Sequence, residues 1–145
     1  MESEKNNSPQ EVRALITDFT HLEVWKSARQ LRRQIYETTR QFPPEEKFGL
    51  ASQIRRVAIS VTANLAEGYG RYSYQENIQF SRQSRGSIYE LRDHLTTAFD
   101  AGYIPRLVLE ELDAMAIGTT RLVNGYIWAT KLRKESAGTN PNRKK

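Results

Sequence analysis

Apolar residues recur along most of the chain at alternating steps of four and three, the spacing that keeps side chains on one face of an α-helix. Val24, Ala28, Leu31, Ile35, Thr38 and Phe42 form the first such stripe. Ahead of it, Thr20 and Glu23 have the spacing of a capping box, and Phe19 is placed to staple onto Val24 one turn later. Pro43-Pro44 closes this helix and opens the next, with Glu45 and Glu46 at the positive end of its dipole. A second helix, over about residues 45–67, carries Leu50, Ile54, Val57 and Val61, widened by Phe48, Ala58 and Leu65. Ser73 and Glu76 repeat the capping-box spacing, so a third helix starts there and reaches about Asp100. Its seam is Ser81, Ser84, Ile88, Leu91, Leu95 and Ala98. Gly102 followed by Pro105 is a stop signal. A fourth helix, about residues 106–134, lines up Val108, Leu112, Met115, Thr119, Leu122, Tyr126 and Ala129, with Leu109, Ala116, Val123 and Ile127 beside them.

No stretch keeps a strand period for long. Long helices joined by short turns predict an all-α fold, an antiparallel up-down-up-down four-helix bundle over residues 19–134. A partly disordered extension, 1–18, precedes it and a basic flexible tail, 135–145, follows. Gly118 and Gly125 lie one heptad apart on the fourth helix, where each glycine costs about 1 kcal/mol relative to alanine. Close packing inside the monomer or at a subunit interface would explain them. The count of large aromatics (Trp25, Tyr89, Phe99, Tyr103, Trp128) tilts the choice toward an interface.

Charge adds a direction. Residues 1–18 hold two bases and four acids, residues 19–130 fourteen and twelve, and residues 131–145 six and one. The net +5 is therefore concentrated at the end that carries Lys131, Arg133, Lys134, Arg143, Lys144 and Lys145. Such a tail can grip phosphate backbones without reading sequence, or serve only to keep the protein in solution. The chain has no cysteine, which excludes disulfides, zinc knuckles and thiol catalysis. No apolar run approaches the ~20 residues of a membrane span, and "MESEKNNSPQ" is unlike a signal peptide, so a soluble, cytoplasmic protein with no membrane partner is expected.

The stretch "NLAEGYGRYSYQENIQF" poses the main chemical question. "EGYGRY" lacks the third glycine of a dinucleotide loop and the Lys-Ser/Thr ending of a P-loop, and it follows a helix rather than a strand. "SRGS" at 84–87 is not a nucleophile elbow. Glu90 and His94, one turn apart, read as a surface pair rather than a metal site. No enzyme, cofactor or metal is expected. Instead Gln53, Arg56, Ser60, Asn64, Glu67 and Arg71 share a face of the second helix, opposite Arg82, Arg85, Ser87 and Glu90, with Gly86 admitting a close neighbour. Glu67 is expected to pair with Arg71 or Arg85 and lock this hairpin. Arg29, Arg33 and Arg40, with Arg32 beside them, line the first helix; Arg82, Arg85 and Arg92 line part of the third; Tyr69, Tyr72 and Tyr74 flank Arg71. A single helical arginine is ordinarily solvated or paired, with Glu37, Glu76 and Asp93 as partners. The aggregate, with the tail, points to phosphates and unpaired bases.

"FTHLEVWKSA", then "QFPPEEKFGLASQIRRVAISVTANLAEGYGR", then "SYQENIQFSRQSRGSIYEL" together resemble the four-helix-bundle family encoded in intervening sequences of bacterial 23S rRNA genes. The most specific residues are Asn64, Ala66-Glu67-Gly68, Arg71, Arg85-Gly86-Ser87 and Glu90. Leu65 stands where isoleucine is usual, and Ser84 where alanine is usual. The resemblance implies a ring-like homopentamer with no enzymatic activity. A looser similarity, to the accessory variability protein of diversity-generating retroelements, implies nucleic acid and a reverse transcriptase as partners. Two functions follow as expectations: an oligomeric bundle that binds RNA or DNA through arginine stripes and the tail, or an adaptor for a partner such as a reverse transcriptase.

Overall fold

The computed structural model describes residues 16–138. A 3-10 turn, Phe19–His21, leads into helix α1 (Glu23–Thr39). A second 3-10 turn, Pro44–Glu46, precedes α2 (Leu50–Tyr69), followed by α3 (Tyr74–Asp100) and α4 (Arg106–Gly138). No strand occurs among the described residues. Each helix packs on its sequence neighbour, and α1 also packs on α4, so the four close into a bundle whose α2–α3 seam is the most extensive.

Three helix ends are fixed by identifiable chemistry. Ser73 Oγ accepts the Glu76 N–H at 3.2 Å and starts α3, as the spacing predicted. Gly102, at φ +79°, ends α3 in a Schellman motif. The Tyr103 N–H reaches the Ala98 carbonyl at 2.9 Å, and the Gly102 N–H reaches Phe99 at 3.0 Å. At the start of α2 a Glu46 carboxylate oxygen accepts the Leu50 N–H at 3.2 Å, which places an anion at the positive end of the helix.

Several expected details are corrected. The Thr20–Glu23 capping box does not form, because Thr20 lies inside the 3-10 turn and Leu22, without a side-chain cap, holds the cap position of α1; the Thr20 hydroxyl donates to Asp18 Oδ2 at 2.7 Å. Phe19 stacks edge-on against Trp25, with ring centroids 5.3 Å apart, where Val24 was expected. Helix α2 begins at Leu50 rather than near residue 45, since the 3-10 turn and Gly49 (φ −106°, ψ −117°) interrupt the helical path. Phe48 therefore stands 89 % exposed in the connection and does not widen the apolar face. In α1 the buried threonine is Thr39, not Thr38, and its hydroxyl is absorbed by the Ile35 carbonyl at 2.8 Å.

The seams of α2 and α3 fall where the pattern put them: Ile54, Val57, Val61 and Leu65 face Ser81, Ser84, Ile88, Leu91, Leu95 and Ala98 in the buried interior. Helix α4 is rotated from its expected line. Leu112, Ala116, Thr119, Thr120, Val123, Ile127 and Thr130 are buried, while Leu122 is exposed. At 1.5 Å per residue, the 33 residues of α4 span about 50 Å against about 30 Å for the 20 of α2. Helix α4 runs on to Gly138 rather than stopping near residue 134. Residues 1–15, expected to be partly disordered, and the expected basic tail from 139 onward, including Arg143, Lys144 and Lys145, lie outside the described residues.

Candidate nucleic-acid interface

The α2–α3 hairpin is joined by polar groups laid along an apolar seam. Ser60 Oγ and Ser87 Oγ are 2.9 Å apart, and Asn64 Nδ2 donates to the Ser60 carbonyl at 2.9 Å and to Ser60 Oγ at 3.0 Å. Ser84, fully buried, donates to the Val61 carbonyl at 2.8 Å, so the hydroxyl that departs from the usual alanine is satisfied across the seam. Gly68 lets the two helices meet: a Cβ there would lie 2.8 Å from Phe80 Cβ and 2.9 Å from Asn77 Oδ1. Asn77 is buried, its Nδ2 donates to the Tyr126 hydroxyl at 2.9 Å, and its Oδ1 has no hydrogen-bond partner. Burial pushes the Tyr126 phenol above its ordinary pKa, against the lowering effect of that hydrogen bond.

Glu67 pairs with Arg71 at 2.7 Å, one of its two expected partners. The Arg71 guanidinium also lies over the Phe80 ring, 4.9 Å from its centroid, and so ties the end of α2 to α3. Arg85 is turned elsewhere: its Nη1 donates to Asn124 Oδ1 of α4 at 2.8 Å. Ser87 faces α2, and two residues of helix rotate a side chain about 200° from it, so Arg85 cannot share that side. Glu90 lies 3.4 Å from His94 Nε2 as a one-turn pair. No group of three or more His, Asp or Glu able to hold a metal occurs among the described residues. None of their helices is long and apolar enough to cross a membrane.

The arginines and lysines that the sequence singled out do not converge on one patch. Arg29, Arg33 and Arg40 are exposed along the outer side of α1, and Arg32 turns toward α2 to reach Thr62 Oγ1 at 2.9 Å. Arg29 lies over Trp25, and Arg40 pairs with Glu37 at 2.7 Å. Arg33 has neither an ion pair nor a hydrogen bond among the described residues. Arg32, Arg33 and Arg40 line a shallow hollow of about 560 Å³ with Gln30, Gln34, Tyr36 and Glu37, the carboxylate that pairs with Arg40. Arg55, which the sequence reading passed over, reaches α1 from α2. It donates to Thr39 Oγ1 at 2.7 Å and its guanidinium lies over the Tyr36 ring, 4.9 Å from the centroid. Arg82 is exposed on α3, away from the α1 set. Lys131, Arg133 and Lys134 stand on the last turns of α4, where Lys134 reaches Gln75 Oε1 at 2.6 Å. A bidentate Arg92–Asp113 pair, at 2.6 and 3.3 Å, bridges α3 and α4; it holds the Arg92 pKa above its ordinary value and was also missed.

Gly86, Gly118 and Gly125 form a different class of glycine. A Cβ at any of them would meet nothing within 4 Å. The close neighbour expected at Gly86 is absent from the monomer, and packing inside the monomer does not explain the pair on α4.

Four antiparallel helices, a hydroxyl-lined hairpin seam and a cationic outer side define a small charged all-α bundle protein. The chain belongs to the 23S rRNA-intervening sequence protein family, whose model matches residues 20–125. Its fold is similar to a crystal structure of a protein of unknown function from the S23 ribosomal protein family of Bacteroides thetaiotaomicron. The TM-score is 0.67 and the identity 21 %, over 72 % of this chain and 94 % of that one. At that identity the likeness is one of fold. No curated protein matches the chain.

Proposed function

We propose that this chain is a non-enzymatic, homo-oligomeric bundle that binds RNA or DNA through the outer side of its α1–α2 half, with the basic tail as a second grip. The observation that carries the reading is a charge asymmetry. Residues 23–69 hold eight bases and five acids, whereas residues 74–138 hold eight of each. The excess lies where Arg29, Arg33 and Arg40 stand exposed on one helix side. The family name links its members to 23S rRNA, which makes RNA the first ligand to test.

Assembly is supported by the outer side of α4. Leu107, Ala114, Gly118, Leu122 and Gly125 follow one another there at helical spacing, and the two glycines leave room for a neighbouring backbone. The family resemblance expects five copies.

The test is binding of a labelled RNA across a salt series. Each phosphate neutralised on a single strand contributes about −0.7 to the slope of log affinity against log salt. Arg29→Glu with Arg33→Glu should therefore flatten the slope by about 1.4 and weaken binding at least tenfold at low salt, with helicity unchanged by circular dichroism. Binding that ignores salt, or a double variant that binds like the parent, refutes the proposal.

A further inference from the structure

Where α4 outruns the elbow between α2 and α3, a cleft of about 530 Å³ opens. Tyr69 comes to it from the end of α2, Tyr74 from the start of α3, Leu22 from the approach to α1, and Trp128, Leu132 and Arg133 from α4. That volume is within the ordinary range for small-ligand sites. Trp128 is 65 % exposed there, a large apolar surface left in water. Arg133 is the only charged residue among those that line the cleft. The lining thus combines flat aromatic faces with one fixed positive charge, which selects a ligand that is itself flat and aromatic and carries negative charge. A nucleotide has that composition: bases stack on aromatic side chains whatever their identity, and a guanidinium takes the phosphate. The neighbouring Lys131 and Lys134 place further positive charge on the same turns of α4.

We propose that this cleft takes an unpaired nucleobase, with Trp128 and Tyr69 as stacking surfaces and Arg133 on the adjoining phosphate. The inference rests on the nucleic-acid reading of α1 and sharpens it: the bundle discriminates single-stranded from double-stranded nucleic acid at its elbow end. A base held in a duplex is stacked on both faces and does not enter a cleft of this size, so a duplex is left with the arginine face and the basic tail.

Trp128 is its own probe. In full-length protein carrying Trp25→Phe, whose only remaining tryptophan is Trp128, an oligoadenylate single strand should reduce emission at least twofold as it binds. A duplex of equal length should bind with little quenching. Replacing a stacking residue weakens single-strand binding by about fivefold to a hundredfold. Trp128→Leu should show that loss and leave duplex affinity unchanged, whereas Trp128→Phe should recover most of it, a distinction that a merely apolar role would not produce. Single-strand binding without quenching and indifferent to Trp128→Leu overturns the cleft proposal while the arginine-face reading stands. Absence of binding to either form overturns both. Equal quenching by duplex overturns the strand preference. Quenching that appears only after removal of residues 1–15 assigns the cleft to the chain's own N-terminal segment and likewise overturns the proposal.

Discussion

Gly68→Ala is the sharpest test of how the α2–α3 elbow is held. The new methyl carbon would sit 2.8 Å from Phe80 Cβ, 2.9 Å from Asn77 Oδ1 and 3.2 Å from the Asn77 carbonyl oxygen. Carbon atoms in good contact are about 3.5–4.0 Å apart, so the helices must separate by several tenths of an ångström. Little can give way. Asn77 is pinned by its bond to Tyr126 at 2.9 Å and by its backbone bond to Ser73 at 3.1 Å, and Phe80 lies under the Arg71 guanidinium. Overpacking of this kind costs about 1–3 kcal/mol, and the better helix propensity of alanine offsets up to about 1 kcal/mol. With the middle of that range, about 2 kcal/mol, for the overpacking, the net loss is about 1–2 kcal/mol, a fall in melting temperature of roughly 3–8 °C for a chain of this size. Gly125→Ala supplies the opposite sign, since its methyl meets nothing within 4 Å. In dilute protein it should raise stability by about 0.5–1 kcal/mol. Thermal melts followed by circular dichroism over a range of protein concentrations read both effects. A Gly68→Ala protein as stable as the parent refutes the reasoning about the elbow. A Gly125→Ala penalty that grows with concentration would place a second copy against that helix.

Three further outcomes follow from other parts of the bundle. Leu122→Arg puts a charge on the outer side of α4, and light scattering should show a smaller native mass with unchanged helicity; an unchanged mass moves assembly to another surface. A double-mutant cycle on Arg92→Ala and Asp113→Ala should give a coupling of about 0.5–1 kcal/mol, the size expected for a pair about one-third exposed on each side. Because burial raises the Tyr126 pKa, its neutral form is favoured in the folded state, and its contribution is present below the unfolded value of 10.0 and lost as pH rises through the folded one. Tyr126→Phe should therefore flatten the decline in melting temperature above about pH 10, and a decline as steep as in the parent counts against the buried assignment.

How much of this was legible in the sequence depended on whether burial and hydrophobicity coincided. In α2 and α3 they coincide along most of the seam, and the stripes, including the buried Ser81 and Ser84, fell on the buried residues. In α4 they do not. Thr119, Thr120 and Thr130 are buried because each hydroxyl bonds a carbonyl one turn back, at 3.0, 2.9 and 2.7 Å, so a polar residue occupies the core without an unsatisfied group. Leu122 and Trp128 meanwhile face outward, and an apolar stripe drawn through Leu122 pointed away from the core. The line through Ala116, Val123 and Ile127, expected to lie beside the seam, is the seam. Local signals were equally reliable only where the helix began at the residue they marked. Ser73 caps α3 as its spacing indicates, but Thr20 is taken into a 3-10 turn and α1 begins only after Leu22.

The candidate site was less legible for a related reason: the identity of a residue announces a charge, whereas only rotation about the helix decides what the charge meets. Arg85 and Ser87 are two positions apart in one signature, yet they serve opposite seams, Arg85 toward Asn124 of α4 and Ser87 toward Ser60 of α2. The glycines divide in the same way. Gly68 is needed because α3 presses on it, while Gly86, Gly118 and Gly125 leave space that nothing in the monomer fills. A helix-interior glycine with no internal neighbour carries its propensity cost without return inside a single copy. The residues that fold the bundle and those that would engage a partner are thus interleaved along the same helices, one turn apart. For that reason a substitution must be chosen by its direction around the helix, not by its place in the motif.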